Sequence, residues 1–212
     1  MDLISLFDYI GTFVFAISGA LVAAEKRFDI FGALTIGFAT AVGGGTMRDV
    51  MLGVEPVTWI CSLSYFYVTI AGVVVTILFQ PIVLKMRSTL FFFDSIGIGV
   101  FTVIGIHKAQ LFNIAPPLAV MMGMITAVAG GIIRDTLCGQ VPLIFRKEIY
   151  ATACIIGGGM YYVMTYINVP EAVNIWLAMI VIVIVRMMAV KFGIQLPLMP
   201  DSKKQDSSNT DK

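Results

Sequence analysis

From its third residue to about its 190th, this chain alternates long apolar stretches with short clusters of charge, proline or glycine. The apolar runs fall at residues 3–24, 30–52, 57–84, 90–106, 114–138, 149–167 and 172–190. Each is long enough to cross a bilayer as a helix, which takes roughly 17 to 25 residues. The pattern predicts an all-α polytopic membrane protein with seven transmembrane helices. Beyond the last run, Pro197, Pro200 and the ending DSKKQDSSNTDK read as a solvated, disordered tail. The first run has neither a basic stretch ahead of it nor a small-residue cleavage site, and reads as a retained span rather than a signal peptide.

Laid against itself, the chain matches at a constant offset of 86 residues. TAVGGGTMRD at Thr40–Asp49 falls on TAVAGGIIRD at Thr126–Asp135. At the same offset Phe7-Asp8 and Ile10-Gly11 fall on Phe93-Asp94 and Ile96-Gly97, and Gly19, Gly37, Gly53 and Pro56 on Gly105, Gly123, Gly139 and Pro142. The chain therefore reads as two copies of a three-span unit followed by one extra span. The expected units are residues 1–88, 89–168, a seventh helix at 169–193 and a cytoplasmic tail at 194–212. With three spans in each unit, the second enters the membrane from the opposite side. Such inverted repeats recur in transport proteins, where paired interrupted helices mark the pathway.

Composition agrees with the spans. Hydrophobic residues make up 58% of the chain and charged residues 13%, against about 45–50% and about 25% in soluble domains. The net charge of +1, with basic residues scattered in ones and twos, argues against nucleic-acid binding. Charge position carries more information. Under a seven-span count Lys26, Arg27, Lys85, Arg87, Arg146, Lys147, Lys191, Lys203 and Lys204 all lie on one face, with little beyond Lys108 on the other. The positive-inside bias then places the N-terminus outside and the C-terminus in the cytoplasm. Cys61, Cys138 and Cys154 sit in apolar segments without CxxC spacing and read as buried thiols. His107, the one histidine, falls at a loop in this reading and supports no histidine metal cluster. Phosphate-loop, HExxH and GxSxG motifs are absent, so the chain does not read as an enzyme.

The motif residues are the candidate chemistry. Glycine is costly in a helix interior, so the runs Gly43-Gly44-Gly45 and Gly130-Gly131 need a reason. The inverted repeat favours a break or kink lining a polar cavity over close helix packing. Gly157-Gly158-Gly159, without an Arg-Asp companion, reads as a packing or flexibility feature. Arg48, Asp49, Arg134 and Asp135 follow the glycines, and Asp8 and Asp94 lie at matching depth in the first and fourth spans. These placements predict two pseudo-symmetric ion pairs, Asp8 with Arg48 and Asp94 with Arg134. Charges within a bilayer are obliged to pair, so the pairs read equally as structural pins and as pathway charges. Arg186, near the end of the last span, is placed to snorkel to the cytoplasmic surface.

On these residues the chain resembles the prokaryotic branch of the trimeric intracellular cation channel family, whose domain is also labelled a glycine transporter. The doubled Gly-Gly-x-x-Arg-Asp signature in inverted units carries the resemblance over nearly the whole chain. It implies a homotrimer in a bacterial inner membrane, each protomer enclosing a pathway for K⁺ or Na⁺ kinked at the glycines of the second and fifth helices. The implied partners are monovalent cations, membrane lipids and further copies of the chain, with no cofactor and no fixed metal. Animal members carry an acidic-basic stretch before the glycine run, where this chain has Ala41-Val42, and Ala129 stands where the first motif has Gly43. Two other readings stay open: a secondary transporter of glycine or another small zwitterion, and a structural scaffold.

Overall fold

The protein is described from a computed structural model over residues 3–83, 89–145 and 149–194. Among the described residues, seven α-helices run in the order α1 (Leu3–Glu25), α2 (Ile30–Met51), α3 (Leu63–Val83), α4 (Thr89–Leu111), α5 (Pro116–Leu137), α6 (Ala151–Tyr166) and α7 (Glu171–Lys191). Single 3₁₀ turns at Thr58–Cys61 and Leu143–Phe145 lead into α3 and α6. Five of the helices, α1, α2, α4, α5 and α7, are long and apolar enough to span a membrane. The all-α reading with two inverted three-helix units and a seventh helix holds. The expected tail, and Lys85, Arg87, Arg146, Lys147, Lys203 and Lys204, lie outside the described residues.

Local sequence explains the ends of these helices. Asp29 caps α2 by accepting from Gly32 N at 2.7 Å. Prolines at the start of α5 occupy the turn whose N–H groups have no helical partner. Gly53 and Gly139, 86 residues apart, terminate α2 and α5 with positive φ values of 70° and 64°, the conformation glycine adopts without a steric penalty.

The repeat is visible in the packing. Gly19 of α1 lies against Gly37 and Ile36 O of α2, and Gly105 of α4 lies against Gly123 of α5. Across the two units, Gly44 faces the carbonyl oxygen of Thr126 and Gly130 faces the carbonyl oxygen of Thr40, so closely that neither site has room for a Cβ. Each contact is the other's image under the internal two-fold. Of the expected break or kink, a break is not found, since α2 and α5 run uninterrupted through both glycine runs. Losing the side chains lets two backbones touch where α2 crosses α5, and that contact offsets the propensity cost of the glycines.

The seventh helix has no counterpart in the repeat. It packs between α4 and α6, with Gly99 against Met179 and Gly157 against Ile182. Gly157 and Gly158 pack as expected, whereas Gly159 meets open space. One thiol differs from expectation: Cys61 is exposed because its segment is a 3₁₀ turn and not part of a span, while Cys138 and Cys154 are buried.

Candidate permeation site

Two polar clusters sit at opposite ends of the helix bundle. The first gathers the start of α1, the end of α2, the start of α3 and the end of α4. Arg48 and Asp49 are buried there, with Arg48 Nε 2.9 Å from Asp49 Oδ1. Lys108 Nζ reaches the same Oδ1 at 2.8 Å and donates to Thr58 Oγ1 at 2.6 Å. Asp49 Oδ2 accepts from Thr58 N at 2.8 Å and Thr58 Oγ1 at 2.6 Å. Asp8 accepts from the Tyr65 hydroxyl at 2.7 Å.

The second cluster joins the end of α1, the start of α4, the end of α5, the start of α6 and the end of α7. Arg134 Nε meets Asp135 Oδ1 at 2.8 Å, and Leu143 N donates to Asp135 Oδ2 at 3.0 Å. Asp94 receives two guanidinium groups, Arg134 Nη1 on Oδ1 at 2.8 Å and Arg186 Nη2 on Oδ2 at 3.1 Å. Arg134 also donates to Ser18, and Arg186 to Ser95. The Arg186 guanidinium lies between the rings of Phe91, 4.7 Å away, and Tyr150, 4.2 Å away, a stacking that suits its planar charge.

Apart from Lys108 and Arg186, which come from α4 and from the unrepeated α7, the clusters are images with a register change. The Arg-Asp motifs keep the offset of 86, but Thr58 and Tyr65 correspond to Leu143 and Tyr150 at an offset of 85. One residue is therefore missing in the second unit between Pro142 and the 3₁₀ turn, which a gapless comparison does not reveal. Each cluster sets two carboxylates against two cations: Asp8 and Asp49 against Arg48 and Lys108, Asp94 and Asp135 against Arg134 and Arg186. That balance is what a poorly solvated site requires.

Of the two expected pairs, Asp94–Arg134 forms. Asp8–Arg48 is not among the described ion pairs, because Tyr65 from α3 reaches Asp8 and the adjacent Asp49 takes Arg48 Nε. Asp8 and Arg48 share a cavity wall instead. Arg186 does not snorkel: it is 0% exposed, because α7 is wedged into the bundle and turns this residue toward Asp94. His107 lies within α4, not in a loop, with Nε2 3.1 Å from Glu171 Oε1.

Between the clusters stand Phe15 and Phe101, also 86 residues apart, with ring centroids at 5.1 Å and both rings buried. Phe15 presses on Gly97 and Gly130, and Phe101 on Gly11. A Cβ at Gly45 would lie 3.6 Å from Arg48 Nη2, in ordinary contact, whereas one at Gly131 would press on the Tyr150 hydroxyl at 2.8 Å. A cavity lined by Asp8, Thr12, Gly45, Arg48, Trp59 and Tyr65 runs from the first cluster to Phe101. It leaves about 10 Å³ for the centre of a water molecule, which is room for about one. Lys108, Tyr65, Tyr150 and the two phenylalanines are absent from the sequence-derived site. The 86-residue match of Phe15 with Phe101 is a signal that would have found that pair.

The glycine transporter family model matches this chain twice, over residues 5–81 and 91–166. The UPF0126 inner membrane protein YadS of Escherichia coli K12 is 43% identical over 193 residues, covering 90% of this chain and 93% of that protein. A UPF0126 membrane protein of Vibrio cholerae is 36% identical over 92% of this chain and 82% of its own length. Among solved structures, the trimeric intracellular cation channel orthologue from Rhodobacter sphaeroides superposes with a TM-score of 0.86 at 33% identity, over 92% of this chain and all of that one. A prokaryotic channel of the same kind, solved in 0.5 M KCl, gives 0.84 at 28% identity over 92% and 98%.

Proposed function

Because the chain belongs to the trimeric intracellular cation channel family, whose glycine-transporter unit it contains twice, we propose that it is a passive K⁺/Na⁺ channel. One pathway runs inside each protomer of a homotrimer in a bacterial inner membrane. The loop charges put the N-terminus outside and the C-terminus in the cytoplasm. The observation that carries this reading is the arrangement within one protomer of two charge-balanced clusters, built on Arg-Asp motifs related by the internal two-fold, on either side of the Phe15–Phe101 contact. Solved relatives named as cation channels supply the function class.

The chemistry is that of a narrow, partly desolvated passage. Carboxylates of Asp8 and Asp94 favour cations at the two mouths; Tyr65 holds the first and Arg134 the second in place, and Arg48 and Arg134 limit the net charge. Arg48 Nη1, Arg134 Nη2 and Arg186 Nη1 are buried without a hydrogen-bond partner among the described residues, which leaves each guanidinium a donor beyond those it spends on its neighbours. The aromatic pair is a dry neck, and the space beside it is too small for a hydrated cation. Conduction requires that neck to widen, and the crossing of α2 with α5 at Gly43–Gly45 and Gly130–Gly131 is the hinge where it does so.

Purified protein in planar bilayers under a KCl gradient tests the proposal. Discrete currents reversing near the cation equilibrium potential are expected. Absent currents together with saturable, ion-coupled uptake of labelled glycine would establish the transporter instead, and inactivity in both assays would leave the scaffold.

A further inference from the structure

The two units differ in one place that the permeation site does not use. In the first, a groove of about 330 Å³ opens between the end of α1, the start of α2 and α3, lined by Ala20, Ala24, Ala33, Thr76 and Ile77 with Arg27 at its mouth. That volume is within the range of small-molecule pockets, roughly 300–1,000 Å³. In the second unit the matching positions on α6 are Tyr161 and Tyr162, at the offset of 85 that also relates Tyr65 to Tyr150. Tyr161 OH reaches Gln110, the counterpart of Ala24, at 3.4 Å. Tyr162 packs on the cluster that contains Ala119, the counterpart of Ala33. The protein fills this space with its own side chains in one unit and leaves it open in the other.

The residue at the mouth gives a second, independent observation. Arg27 has a positive φ of 59°, a left-handed conformation unfavourable for a bulky side chain. Its counterpart 86 residues on is Asn113, with φ 55°, and asparagine tolerates that conformation. An arginine is thus held where the fold is satisfied by asparagine, beside Lys26 and at the open end of an apolar groove. Asp29, also on the rim, is engaged in capping α2 through Gly32 N, and Arg27 has no ion pair among the described residues. The groove reaches from the helix ends to Ala20, five residues into α1, a depth of about 7.5 Å at 1.5 Å per residue. Amphipathic segments at a membrane surface reach a comparable depth, about 5–10 Å, into the boundary between headgroups and acyl chains. Phe28 and Ile30, on its rim, are exposed.

We propose that this groove is a site for an anionic phospholipid, with an acyl chain against Ala20, Ala24, Ala33 and Ile77 and the headgroup phosphate on the Arg27 guanidinium. Arginine binds phosphate with a planar fork of donors, and basic pockets between transmembrane helices select acidic headgroups. The site does not depend on conduction, so its test stands whether or not the chain is a channel.

The test is the melting temperature of the detergent-solubilised full chain during titration with dioleoylphosphatidylglycerol, dioleoylphosphatidylcholine or glycerol phosphate. Phosphatidylglycerol is expected to raise the midpoint at a concentration at least tenfold below phosphatidylcholine, with glycerol phosphate inactive. Arg27→Asn, which copies the second unit, should abolish the preference between the two lipids. Thr76→Tyr with Ile77→Tyr, which fills the groove as α6 does, should abolish the shift by both. Equal action of the two lipids on the native chain, an undiminished preference in Arg27→Asn, or a full shift by glycerol phosphate alone each overturns the proposal. So does disulfide cross-linking of Arg27→Cys between copies of the chain, which would make the groove a subunit contact.

Discussion

Replacing Gly44 by alanine puts a methyl group against the carbonyl oxygen of Thr126, well inside the 3.0 Å below which real Cβ contacts essentially never fall. The obstructing atom is backbone in the middle of α5, so no rotamer change relieves it. The crossing of α2 and α5 must open by about 1 Å, an overpacking that typically costs about 1–3 kcal/mol. Alanine recovers about 1 kcal/mol of helix propensity, leaving a net loss of about 0–2 kcal/mol. Gly130→Ala meets Thr40 O in the same way and should behave as its image. Gly159→Ala is the control: that glycine is helical and has nothing within 4 Å of the added carbon, so only the propensity gain remains, up to about 1 kcal/mol. Thermal unfolding in detergent should rank the variants Gly159→Ala, native, then Gly44→Ala and Gly130→Ala. Planar-bilayer recordings should show altered open probability for the latter two, with size-exclusion chromatography reporting whether assembly survives. If Gly44→Ala and Gly130→Ala melt and conduct like the native chain, the crossing is not a tight contact and the hinge argument fails.

Arg186→Met removes one of the two guanidinium groups on Asp94 and should destabilise by about 3–5 kcal/mol, the usual effect of leaving a buried charge short of its partner; denaturant titration reads this, and a loss under about 1 kcal/mol would refute the buried triad. Asp8→Asn should cost about 1–2 kcal/mol, since Asp8 accepts one described side-chain bond, from Tyr65, and should lower the cation-over-anion permeability ratio in reversal-potential measurements. Phe15→Ala should cost about 3–5 kcal/mol as a core truncation and raise open probability by widening the neck; unchanged gating would remove the aromatic pair from the pathway. For topology, cysteine at Glu55 should react with an impermeant thiol reagent in intact cells and cysteine at Lys26 should not, in a background without native cysteines.

Several features are legible in the sequence. Hydrophobic run length is a property of consecutive residues, so seven helices emerged from pattern alone, with ends mostly within a few residues of those observed. Internal repetition is likewise written in one dimension, and it located Asp94 with Arg134 as partners. Three things were not legible. Of the break or kink expected at the glycine runs, the break is absent and two backbones meet there, because low propensity in a sequence does not say whether a compensating contact lies across the interface. Arg186 was expected at the surface, since its position near a helix end says nothing of what α7 packs against. Lys108, in the second unit, completes the first unit's cluster across 59 residues, a partnership that no local pattern encodes.

The sequence by itself determined the membrane location, the all-helical class, the duplication and which residue types would be charged within the bundle. Tertiary structure decided which cation answers which carboxylate, that the seventh helix supplies the second guanidinium to Asp94, and that the phenylalanines of the two units meet at the centre. The reason is one of range. Helix formation and bilayer matching depend on neighbours within a few turns, whereas pairing of buried charges depends on the angle and rotation with which separate helices cross, and those are set by the packed bundle as a whole.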